Sequence, residues 1–108
     1  MKLMVVKLHN RTGEDTDFVD IDINDVNYFD LWEKSSGQIL AFHTSEGSYL
    51  ALSTLKEAHA VFRIYGFELF DRSTGVNKHK VRDTELIEDG SIVNFKDGSH
   101  VIVRKKIY

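Results

Sequence analysis

Acidic side chains crowd the stretch GEDTDFVDIDINDVNYFD, where Asp20, Asp22, Asn24 and Asp25 could offer oxygen donors to a hard cation. Calcium takes about six to eight such ligands, but its usual loop needs a Gly at the sixth position and a Glu at the twelfth. Neither falls in place here. Alternating acids on a strand more simply make its wet face or guard an edge. His9, His43, His59, His79 and His100 lack a ligand spacing such as HxxxH, and no cysteine is present. Neither a metal nor a cofactor is therefore expected. Hydrolysis finds equally little support. Ser73 lies in neither a GxSxG elbow nor an SxxK motif, and nothing fixes a nucleophile beside His79 with Asp71 or Asp83. No Gly-rich loop leads into a helix, so a phosphate cradle is not expected, and no residue is assigned a catalytic role.

One stretch does carry unusual chemistry. In GFELFDRSTGVNKHKV, Phe67, Leu69 and Val76 have the character of core residues on one strand. Arg72, Ser73, Asn77, Lys78, His79 and Lys80 crowd between and after them. The wider charge distribution is polarised in the same sense. Residues 1–54 carry four basic and nine acidic side chains, and residues 55–108 carry ten and eight. Bases gather at KHKVR (78–82) and RKK (104–106), so a chain with a net charge of −3 still offers a basic face to a polyanion.

The elements that must position these groups are mostly strands. DFVDIDIN alternates, with Val19, Ile21 and Ile23 on one side and Asp20, Asp22 and Asn24 on the other. VNYFDLWE and QILAFHT read as strands joined at KSSG, and SYLAL follows the turn at Glu46-Gly47. SIVNFKDGSHVIV is the clearest hairpin, closing around Asp97-Gly98. MKLMVVKLHN reads as a strand and not as a signal peptide, because its apolar stretch is short and no small-residue cleavage pattern follows. Only STLKEAHAVFR is helical in period. Thr54 and Glu57 form a capping box, and Leu55, Ala58 and Phe62 share a stripe. The sequence thus predicts one domain over residues 1–108, mostly antiparallel β with a short helix from Thr54. Zero cysteines and no long apolar run suit a cytoplasmic protein with no membrane partner.

With those elements in order, GFELFDRSTGVNKHKV resembles the signature of the LytTR family of bacterial DNA-binding domains. The resemblance rests on Phe67, on Arg72-Ser73 and on Val76-Asn77 in sequence order. It extends through DVNYFDLWEKSSGQILAFHTSEGSYLALSTLKEA and the closing SIVNFKDGSHVIVRKK, while the first 20 residues are the least diagnostic. The resemblance implies an elongated β-sheet domain that reads double-stranded DNA with loops placed in successive major grooves. By position, one reading loop is Lys34, Ser35, Ser36, Gly37 and Gln38. A second surrounds Arg72 and Ser73, and a third contact falls at Arg104 or Lys105. Asn77, Lys78 and Lys80 complete the implied DNA-binding set, although an Asn at a strand end ordinarily satisfies backbone groups.

Such residue types suit the task, since arginine grips guanine O6 and N7 with two bonds while lysine and hydroxyl groups hold phosphates. The sequence also departs from the family pattern. Asp71 stands where His is frequent, and a carboxylate near phosphates is repulsive. Gly75 replaces a larger apolar residue, which should loosen its strand, and Leu69 and Val103 replace residues that are often Arg and Ser. Three functions remain open on the sequence: a stand-alone regulator of transcription, a degenerate copy serving as a protein-interaction module or antagonist of a related regulator, and a small enzyme. The first implies repeated DNA half-sites and weak or transient homodimers.

Overall fold

Val19 and Ile21 pack inward while Asp20 is exposed, so the alternating acidic stretch does form a strand with one wet face. The computed structural model describes residues 2–34, 37–51, 60 and 62–108, with the backbone alone at 33 and 34. Ten strands are described: β1 (Lys2–Lys7), β2 (Phe18–Asp22), β3 (Val26–Lys34), β4 (Gly37–Thr44), β5 (Gly47–Leu50), β6 (Phe67–Leu69), β7 (Thr74–Asn77), β8 (Val81–Ile87), β9 (Gly90–Phe95) and β10 (His100–Val103). They form a large sheet in the order β2-β1-β5-β4-β3-β7-β6 and a small one in the order β10-β9-β8. Every described pairing is antiparallel. The molecule is elongated, at 44 × 29 × 26 Å.

Neighbouring residues on a strand face opposite ways, so Tyr28 and Phe29 open two cores. On one face of the large sheet Phe29 meets Phe42, Phe62 and Phe67, with ring centroids 5.4–6.2 Å from its own. On the other face Tyr28 packs with Val76, Phe70, Val93, Phe95 and Val103, which join the small sheet to the large one. A polar clamp reinforces that joint. Asp97, in the β9–β10 turn, accepts bonds from Asn27 Nδ2 (2.7 Å), Ser45 Oγ (2.7 Å) and the Ser99 amide (2.9 Å).

The Ser99 hydroxyl, then Ser45, outweigh the burial that opposes them, and these bonds hold the Asp97 carboxyl far below the usual carboxylate range. A carboxyl depressed on folding stabilises the native state above its unfolded value, near about 4, and loses that contribution as the pH falls below it. Asp97→Asn is therefore expected to flatten the acid limb of a stability-against-pH curve. It should also lower Tm at pH 7 by about 4 °C or more, the shift that a loss of roughly 1 kcal/mol brings in a domain of this size.

The structure corrects three expectations. Residues 67–76 are not one strand but a hairpin, β6 and β7, whose turn closes with the Phe70 amide on the Thr74 carbonyl at 2.9 Å. VRDTELI forms a full strand, β8, although its mostly exposed residues show no strict alternation. Gly75 does not loosen β7. A Cβ there would lie 2.1 Å from Cζ of Phe29, so the bare glycine lets the Phe29 ring rest on the strand. The capping box at Thr54 and Glu57, with Leu55 and Ala58, lies outside the described residues. Phe62, the last residue of that stripe, is buried with right-handed helical angles (φ −74°, ψ −22°).

Candidate nucleic-acid interface

Antiparallel pairing decides which candidate residues share an end of the molecule. Asp30 lies opposite Thr74, and the Leu31 amide bonds the Ser73 carbonyl at 3.2 Å. As β3 runs on to Lys34, it carries the β3–β4 turn to the same end of the large sheet as Arg72 and Ser73. Lys34 pairs with Gly37 through the backbone, and Gln38 is exposed in β4 opposite Glu33. Ser35 and Ser36 lie outside the described residues, as does the side chain of Lys34.

The third candidate segment joins the second through one carboxylate. Asp71 Oδ1 accepts the Ser73 amide at 3.0 Å, a local bond that shapes the β6–β7 turn. Its Oδ2 accepts the Arg104 amide at 2.9 Å, just beyond β10. Burial works to raise this carboxyl. The amides of Arg104 and Ser73 and the hydroxyl and amide of Thr74 together outweigh it, and the group sits below its usual value. Asp71 is thus ionised at neutral pH and committed to the main chain. Arg72, Arg104, Lys105 and Lys106 are all exposed around it. Ser91, fully buried, holds the tail behind them by donating to the Lys105 carbonyl at 2.9 Å and accepting the Ile107 amide at 2.8 Å. Gly90 allows that fit, since a Cβ there would stand 2.0 Å from the Val103 carbonyl oxygen.

Other candidates are not brought to this end. Asn77 is only 2 % exposed; its Nδ2 donates to the Val26 carbonyl at 3.0 Å and its Oδ1 accepts the His79 amide at 3.1 Å. Both ends of the amide are engaged inside the fold, which removes Asn77 from the contact surface and gives it the backbone role usual at a strand end. Lys78 and Lys80 follow at the far end of β7, roughly 13 Å along the strand from its start. Lys78 is exposed, while Lys80 is half-buried in a groove lined also by Asp20, Asp22 and Asp25. The polar flank therefore divides between two ends of one strand.

A further constellation was not legible from spacing. His43 bonds Ser48 Oγ through Nδ1 at 2.7 Å and Asp30 Oδ1 through Nε2 at 2.8 Å, tying β5 to β4 and β3. Tyr28 stacks on the His43 ring at 4.3 Å between centroids, and the Trp32 indole donates to the same Asp30 oxygen at 2.9 Å. These groups lie on one face because Tyr28, His43 and Ser48 are successive cross-strand partners. Ser73 has no comparable arrangement: its hydroxyl faces Asp71, and the His79 ring covers Gly66.

The family description that matches residues 17–108 is the LytTr DNA-binding domain. A solved structure, the LytTr DNA-binding domain of a Bacillus cereus protein described as a methyl-accepting/DNA response regulator, superposes with a TM-score of 0.71. The likeness covers 96% of this chain and 87% of that one at 14% identity, which makes it a likeness of fold. No curated protein matches the sequence. With a family match over most of its length and a solved member's fold along nearly all of it, this chain belongs to the LytTr DNA-binding domain family.

Proposed function

We propose that the chain is a sequence-specific double-stranded DNA-binding protein that regulates transcription in the bacterial cytoplasm, placing loops in the major groove. The observation that carries this reading is the gathering of Arg72, Arg104 and Lys105 at the end of the molecule that also bears the β3–β4 turn. Arginines there read guanine edges, while Lys34, Ser73, Lys105 and the turn hydroxyls of Ser35 and Ser36 hold phosphates, with Gln38 beside them. Repeated half-sites, each filled by one copy, supply the specificity that one small domain lacks, and dimers free in solution are weak.

Salt tests the assignment. With Lys34 and Lys105 as the charged phosphate contacts, log K should fall against log salt with a slope of roughly −2. Lys105→Ala is expected to flatten the slope by about 0.9 and weaken cognate and random duplexes alike. Lys80→Ala should leave the slope unchanged, because Lys80 lies beyond the end of β7 opposite to Arg72, in a groove of mixed charge. Equal effects from the two would move the interface along β7.

A second reading, a protein-interaction module, is favoured by the β1–β2 face, where Met4 is 63% and Phe18 52% exposed beside Asp20. A protein that binds no duplex even at low salt would establish that reading in place of the first.

A further inference from the structure

We propose that Asp71 is a positioning residue for DNA specificity: its carboxylate fixes the Arg72 loop against the backbone of Arg104, and so sets the distance between two base-reading arginines. This inference rests on the DNA-binding reading above. Arg72 belongs to a turn of the large sheet, whereas Arg104 follows the last strand of the small one. The two are separated by 32 residues of chain and reach a common surface through different sheets. Phe70 and Val103 pack beneath them, but apolar packing is non-directional and leaves the loops above it free to shift. The Asp71 carboxylate is directional. One oxygen takes the Ser73 amide at 3.0 Å and the other the Arg104 amide at 2.9 Å.

Bidentate arginine–guanine contacts require both guanidinium groups to arrive in register with successive base edges. A phosphate contact tolerates displacement far better, since a point charge attracts from any direction. The tie therefore acts on discrimination between sequences and hardly on the sequence-independent part of the affinity. Because Asp71 bonds the main-chain N–H of Arg104, the side chain of Arg104 stays available to the DNA.

Two substitutions separate this role from simple charge. Asparagine has the shape of aspartate but only one acceptor oxygen, and its amino group would face a donating N–H. Asp71→Asn therefore keeps at most one of the two bonds while removing a negative charge near DNA. Asp71→Glu keeps the charge and misplaces the oxygens. The experiment selects preferred duplexes from a random pool with the wild-type protein, then titrates the selected and an unrelated duplex with all three proteins across a salt series. Amide hydrogen exchange is followed without DNA, with the Phe29 amide as the control for an intact core.

The expected result is that both variants lose about tenfold or more of the preference for the selected duplex, while the salt slope is unchanged. The Arg104 and Ser73 amides should exchange faster in Asp71→Asn, with Phe29 still protected. The proposal is overturned if Asp71→Asn tightens all duplexes equally and keeps the preference, which is the behaviour of a merely repulsive charge. Unchanged exchange at Arg104 would also overturn it. A wild-type protein that enriches no sequence would remove the DNA-reading proposal together with this one. Enrichment by wild type with equal preference in all three proteins would remove this one alone.

Discussion

Replacing Arg72 with alanine is expected to weaken binding to the preferred duplex by about 1–3 kcal/mol, roughly 5- to 150-fold, and to leave random duplexes nearly unaffected. The asymmetry follows from what the guanidinium can sense. A phosphate is the same at every step of the duplex, whereas only guanine presents O6 and N7 together in the major groove. Arg72 is exposed in the turn that Asp71 shapes, so its loss removes a contact without leaving a buried group unpaired. Competition titrations with single-base variants of the selected duplex should show relaxed discrimination at one base pair. Equal weakening of preferred and random duplexes would make Arg72 a phosphate clamp. Trp32, the only tryptophan, lies two residues before the end of β3 and offers a fluorescence readout near the β3–β4 turn.

The largest effect on stability is expected at Phe29. It is fully buried and touches the rings of Phe42, Phe62 and Phe67, so Phe29→Ala empties the centre of the larger core. The expected cost is about 3–5 kcal/mol, a large part of the roughly 5–15 kcal/mol that holds a domain together. Gly75 adds a sign that other core positions lack. A Cβ on Gly75 would stand 2.1 Å from Cζ of Phe29 and 2.5 Å from both Cε atoms, so Gly75→Ala alone must displace the ring. In the Phe29→Ala background that collision is gone, and the same methyl group fills part of the cavity. Urea denaturation of the two single variants and the double should therefore show a double variant more stable than the sum of the single losses implies. Strict additivity would mean that the ring and the strand do not press on one another.

Local periodicity made most of the strands in both sheets legible. Val19 and Ile21 against Asp20 set the inner and outer faces of β2, and Asp97-Gly98 between two β-branched runs marked the β9–β10 hairpin. These features are decided within a few residues, so a chain read alone displays them. The β6–β7 turn escaped because its chemistry is a side chain, Asp71, bonding its own neighbourhood, with no Gly, Pro or Asn to mark it. β8 escaped for a related reason: with Arg82, Asp83, Glu85 and Leu86 all exposed, its pattern reads as a solvated run, and its partner β9 is what makes it a strand. By itself the sequence determined a mostly β domain, the family it resembles, and the identities of the arginines and lysines that could meet a polyanion. Only the tertiary structure decided which of them act together. Strand pairing sends Lys80 to the far end of β7 and buries Asn77, and the Asp71 carboxylate holds Arg104 beside its own loop across 33 positions. Bonds between residues so far apart in the chain depend on how two sheets pack, and no local pattern of side chains encodes that distance.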